Sequence, residues 1–91
     1  MSETQMQELL VLLRLADEGR LPIEELPRRR GDPAYSVLGW TFTAFNDAGS
    51  WDYIGWVRTP YGEEYDYAQI PERLRDWSPN NEERWNWPPF H

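Results

Sequence analysis

From Tyr35 to Tyr67 apolar and polar residues alternate with a period of two, and this pattern limits the fold of the chain more than any other feature. In "YSVLGWTFTAFND" two runs rich in β-branched and aromatic residues are split by Gly39, which fits a tight hairpin turn or a bulge. Trp40, Phe42 and Ala44 share one face of such a strand, and Thr41 and Thr43 point the other way. "NDAGS" is a loop signal, and "WDYIGWVRT" is a third run in which Gly55 marks a bulge or a close approach of a helix. "TPYG" reads as a turn with Pro in second place, and in the fourth run, "EEYDYA", Tyr65 and Tyr67 alternate with Glu64 and Asp66. The pattern predicts a four-stranded antiparallel meander over residues 35–68.

The flanking segments follow other rules. "MSETQMQELLVLLRLADEG" predicts an amphipathic helix over 3–18, with a capping box from Ser2 and Gln5 or from Thr4 and Gln7, and Gly19 as its stop. Met6, Leu9, Leu10, Leu13 and Ala16 form its apolar stripe. "RLPIEELPRRRGDP" contains three prolines and reads as an extended connector or a single turn, pinned to the core by Ile23 and Leu26. Pro71 opens a short helix over 71–77, and residues 78–91 form an irregular aromatic tail ending in His91, either native or a tag remnant. The expectation is one α+β domain over 1–91: an N-terminal amphipathic helix packed on the sheet, with the short helix and the tail closing one edge.

Several chemistries are excluded by residue type. The chain has no Cys, so disulfides, thiolate metal sites and a cysteine nucleophile are ruled out, and its one His is the terminal residue, which removes imidazole triads and zinc sites. No glycine-rich cradle for phosphate precedes a helix. "NDAGSWD" gathers oxygen-bearing side chains but lacks the spacing and the bidentate Glu of a calcium loop. Two carboxylates, Asp47 with Asp52 or Glu63 with Glu64, are candidates for acid and base work, but a chain this small has little room for a substrate cleft. No catalytic residue, cofactor or metal is expected. "RRR" reads as a solvated run or one paired to the protein's own carboxylates, and "RGD" as a chance match. The run Leu9 to Leu13 is too short for a signal peptide or a membrane span, which points to the cytoplasm and to no membrane.

A net charge of -7 with no Lys speaks against direct nucleic-acid binding and favours a protein partner with a basic surface. The aromatics divide. Trp40, Phe42, Ile54 and Trp56 have the alternation of a sheet core. Trp51, Tyr61, Trp77, Trp85 and Trp87 fall in loops, turns or the tail. Trp51, Tyr61, Trp85 and Trp87, beside Asp47, Asp52, Glu63 and Glu64, are the candidate partner-binding face, since Trp and Tyr are enriched at interface hot spots. The alternative is a tail that wraps back, its tryptophans covering the sheet.

The segment "GWTFTAFNDAGSWDYIGWVRTPYGEEY" resembles a family of small bacterial domains common in pseudomonads. The shared features are Gly39 with Trp40, Asn46 with Asp47, Asp52 with Tyr53, and Pro60 with Gly62, in that order. The resemblance covers roughly a third of the chain and implies a strand-turn-strand unit with variable termini. It carries no activity, and cysteines that some members have near the Asp-Tyr pair are missing here.

These features predict a non-enzymatic, acidic and aromatic protein-binding module. In size and charge it is analogous to inhibitors of nucleic-acid-handling complexes, including anti-defence and DNA-mimic proteins. Two other readings stay open: a small-ligand domain in which Trp51, Trp56 and Tyr61 stack on a sugar or nucleobase with Asp47 or Asp52 taking its polar groups, and a homo-oligomer formed through an aromatic patch.

Overall fold

A computed structural model of the chain describes residues 1–47 and 50–80. Helix α1 (Glu3–Asp17) is followed by strands β1 (Glu24–Arg29), β2 (Asp32–Val37), β3 (Trp40–Asp47), β4 (Ser50–Arg58) and β5 (Glu64–Asp66), a 3₁₀ turn (Tyr67–Gln69) and helix α2 (Glu72–Arg75). The strands form one antiparallel sheet in the order β1-β2-β3-β4-β5, each paired with its neighbours in sequence. The α+β class and the meander agree with the sequence pattern; the strand count is five, not four.

The additional strand is β1, which lies in the segment expected to be a connector. Proline is excluded from a central strand because it lacks an N–H, but an edge strand or a bulge tolerates it. Pro27 has both: β1 is an edge, and the register shifts between Leu26 and Arg29. The β1–β2 turn is Arg30-Gly31 and the β2–β3 turn Leu38-Gly39, with φ of 52° and 86°, and 44° and 84°. Positive φ at both central residues is the geometry that matches the right-handed twist of paired strands. At Gly39 the chain also runs close to the β4–β5 turn: a Cβ there would lie 3.2 Å from Pro60 Cβ. That second turn is organised by Thr59, which is buried and whose hydroxyl accepts from the amides of Tyr61 and Glu63, both at 3.2 Å.

Local rules account for α1. Ser2 Oγ accepts from the Gln5 amide at 3.1 Å and Gln5 Oε1 from the Ser2 amide at 2.9 Å, the reciprocal capping box. At the other end the Gly19 amide donates to the Ala16 carbonyl and the Arg20 amide to that of Leu15, a Schellman closure around Gly19 at φ 76°. The stripe of Met6, Leu9, Leu13 and Ala16 is buried against one face of the sheet, with Tyr35 and Val37 of β2, Trp40, Phe42 and Ala44 of β3, and Ile54 and Val57 of β4. Ile23, Ile70 and Leu74 complete this core, so Ile23 pins its segment as expected, and Leu26 is half-buried.

Strand β4 breaks the simple alternation twice. Thr43 pairs with Trp56 and Ala44 with Ile54, which leaves Gly55 as an extra residue; Phe45 pairs with Tyr53 and Asn46 with Trp51, which leaves Asp52 as another. Each bulge shifts the faces by one place and adds twist. Ile54 and Val57 point inward, while Trp56 is carried to the opposite face beside Thr43. The expectation that Trp56 joins the core with Ile54 is thus corrected. The close neighbours of Gly55 are Tyr53 and Thr43 rather than the helix. Tyr67 also departs from expectation, since β5 ends at Asp66 and the ring belongs to the 3₁₀ turn.

Candidate functional site

The sequence-derived partner face is distributed rather than contiguous. Asp47 and Asp52 are exposed at the β3–β4 end of the sheet, whereas Tyr61, Glu63 and Glu64 lie at the β4–β5 turn. From Asp52 to Arg58, the partner of Glu64, β4 runs about 20 Å at the usual rise per residue and separates the two groups. Trp51 is not a loop residue. It is half-buried on the helix-side face, its ring is stacked on Tyr35 at 6.2 Å and edge-on to Trp77 at 5.5 Å, and its Nε1–H donates to the Trp77 carbonyl at 2.9 Å. The indole seals the end of the core. Tyr61 is 91% exposed. Glu63 accepts from Gln5 Nε2 at 3.0 Å and ties the turn to the start of α1. Trp85 and Trp87 lie outside the described residues.

What the fold does assemble is on the face turned away from α1. Here Glu64 accepts a hydrogen bond from Trp56 Nε1 at 3.1 Å, and the Arg29 guanidinium sits 3.9 Å above the Trp56 ring and 3.5 Å from the same Glu64 oxygen. Arg29 ends β1 and Glu64 begins β5, so the contact joins opposite corners of the sheet. In a flat five-stranded sheet those edges would be about 19 Å apart, beyond the reach of the two side chains. A twisted sheet is a saddle in which one pair of opposite corners bends toward one face. The β1 and β4 bulges accentuate this, and the outer face is concave along the Arg29–Glu64 diagonal.

The concavity holds a trough of about 170 Å³. The rings of Tyr53, Trp56 and Tyr67 line it together with Thr43 and Gly55, and Arg29, Arg30, Asp32 and Asp66 supply its charges. Thr43 is 3% exposed although it faces away from the helix, because larger side chains stand around it. Beside the trough Phe45 stacks on Tyr53 with ring centroids 5.0 Å apart, Tyr67 meets Tyr53 edge-on at 4.9 Å, and the Arg75 guanidinium lies 4.5 Å over the Tyr67 ring. Phe45 and Tyr67 keep 37% and 46% of their surface in solvent.

Sequence reasoning missed Arg29, Tyr67 and Arg75 as parts of one surface. The available signals were Gly55, flagged as a possible bulge, and the triple arginine next to a hairpin turn. A trough of this size is below the several hundred Å³ of a small-molecule site and matches a single side chain. Among the described residues no group of three or more His, Cys, Asp or Glu side chains is placed to hold a metal ion, and no helix is long and apolar enough to cross a membrane. In the core, burial and secondarily the charge of Glu25 push the Tyr35 hydroxyl up, against a lowering by Arg28. No known family model matches the chain, and no curated protein or solved structure matches it significantly.

Proposed function

We propose that the chain is a non-enzymatic protein-binding module whose contact surface is the concave outer face of the sheet, and whose partner presents a basic surface. The observation that supports this most directly is the exposure of Phe45 and Tyr67 beside Tyr53 and Trp56 on a face that, among the described residues, carries no helix. Tyr, Trp and Arg concentrate binding energy at interfaces, and here Tyr53, Trp56 and Arg29 sit on strands of this face with Tyr67 of the 3₁₀ turn beside them. The net charge of -7 favours encounter with a basic surface. Phosphate mimicry would call for carboxylates in rows, whereas Arg29 and Arg75 interrupt this face, so the proposal stops at protein binding. The cytoplasmic location expected from the sequence belongs to the same proposal.

The test compares one substitution at two exposed sites. Phe45→Arg places a cation on the outer face, and Val11→Arg places the same cation on α1, where Val11 is 44% exposed. Immobilised protein is challenged with nuclease-treated host lysate, and the retained protein is identified and titrated. The expected result is a salt-sensitive partner whose affinity falls by at least roughly tenfold in Phe45→Arg and is unchanged in Val11→Arg. Equal retention by both variants would refute the assignment of the face.

A further inference from the structure

We infer that the trough beside Trp56 takes one cationic side chain of the partner, an arginine in preference to a lysine, with the aromatic rings as walls and Asp32 and Asp66 as counter-charges. The inference rests on the protein-binding reading above and names the group that this surface recognises. Three observations carry it.

The first is that rings on this surface already hold guanidinium groups. Arg29 lies 3.9 Å over Trp56 and Arg75 4.5 Å over Tyr67, each within the range in which a cation is attracted to the negative face of an aromatic ring. The chain's own arginines thus display the chemistry that the surface favours. A planar guanidinium stacks on such rings better than an ammonium does.

The second is the charge left over. Arg29 faces Glu64 at 3.5 Å, so that pair is close to neutral. Asp32 and Asp66 also line the trough, and among the described residues neither makes an ion pair. Arg30 is the remaining cation on the lining. Arg75 stands over the Tyr67 ring as well, so two cations face these two carboxylates, and it is the protein's net charge of -7 that disfavours an anionic guest and favours a cationic one.

The third is shape. Gly55 lines the trough, and a Cβ there would sit 3.4 Å from Tyr53 Cε1 and 3.8 Å from Thr43 Oγ1, in ordinary contact. The missing side chain keeps the trough open without being required by the backbone. The volume of about 170 Å³ suits the end of one long side chain and not a peptide segment.

The experiment titrates labelled protein with N-acetyl-arginine amide and follows backbone amide and indole N–H resonances. The neutral ureido isostere, N-acetyl-citrulline amide, and N-acetyl-lysine amide serve as comparisons. Expected are saturable shifts at Gly55, Asp66 and the Trp56 indole with the arginine probe, weaker ones with lysine, and none with citrulline. Gly55→Ala narrows the trough and Asp66→Asn removes a counter-charge; each should weaken the arginine probe roughly fivefold while the rest of the spectrum keeps its dispersion. No saturable shift, equal shifts from citrulline, or unchanged affinity in both variants would overturn the inference. If Phe45→Arg abolishes partner retention while the arginine probe does not bind, this inference fails and the protein-binding reading stands. If the probe binds but Phe45→Arg retains the partner fully, that reading fails and the identity of the guest's owner fails with it.

Discussion

Replacing Trp51 and Tyr61 by alanine should separate the two roles that sequence reasoning merged. A fully buried Trp cut to Ala costs about 3 to 5 kcal/mol. Trp51 is only half-buried, but it contacts Tyr35, Phe42 and Trp77, and its indole N–H satisfies the Trp77 carbonyl. Trimming the packing part for exposure and adding about 1 kcal/mol for the hydrogen bond gives about 2 to 4 kcal/mol for Trp51→Ala. In a domain of this size each kcal/mol moves the melting temperature by about 4 to 8 °C, so a fall of about 8 to 32 °C is expected. Tyr61→Ala, at 91% exposure, should stay within about 0.5 kcal/mol of the parent. Urea unfolding monitored by far-UV circular dichroism measures both. Trp51→Phe belongs in the same series: it keeps a ring, loses the donor, and should cost about 1 kcal/mol. A Trp51→Ala variant as stable as the parent would refute the placement of the indole over the end of the core and return Trp51 to the interface candidates.

Other substitutions test single features. Leu38 holds φ at 44° while 66% exposed; Leu38→Asn relieves a left-handed strain of about 1 to 2 kcal/mol and gives up about 0.7 kcal/mol of burial, so a gain of about 0.5 to 1 kcal/mol is expected in urea unfolding. The raised pKa of Tyr35 means that its neutral form is favoured in the folded state. Its contribution is complete below the unfolded value of 10.0 and is lost as pH climbs through the folded value above it; Tyr35→Phe should therefore lose less stability than the parent in urea titrations above pH 10. Arg29→Met keeps much of the stem over Trp56 but removes the cation, and should cost about 0.5 to 1.5 kcal/mol, with a change in Trp emission and a smaller cost at high salt.

How legible each element was depended on how local its causes are. The capping box of Ser2 and Gln5 and the stop at Gly19 use residues within five positions of one another, and both ends of α1 were readable to within a residue. Gly39 and the Thr59–Gly62 turn were readable for the same reason. Strand β1 was hidden because Pro27 argues against a strand until the strand is known to lie at an edge. The orientation of Trp56 was hidden because period-two reasoning carries an error past every bulge, and Gly55 and Asp52 each insert one. The outer surface was the least visible. Trp56, Glu64 and Tyr67 are neighbours across the β4–β5 pair, but Arg29 reaches them from the far edge only because the sheet is saddle-shaped, and no spacing in the sequence encodes that curvature.

The strictly sequential meander also bears on how the chain acquires its fold. Each strand pairs with its neighbour in sequence through short turns, so hairpins can form and dissolve locally as the chain lengthens, at little entropic cost. The hydrophobic core does not share that order. Met6 and Leu9 at one end of the sequence pack in the same cluster as Ile70 and Leu74 at the other. During synthesis the helix stripe gains its sheet partners as β2 to β4 emerge, but the core closes only when Leu74 has left the ribosome, about 60 residues after the stripe itself, or several seconds at ordinary elongation rates. Over that interval the nascent chain has paired backbone but no closed core, and it is then that chaperones or an early-binding partner have the most surface to hold.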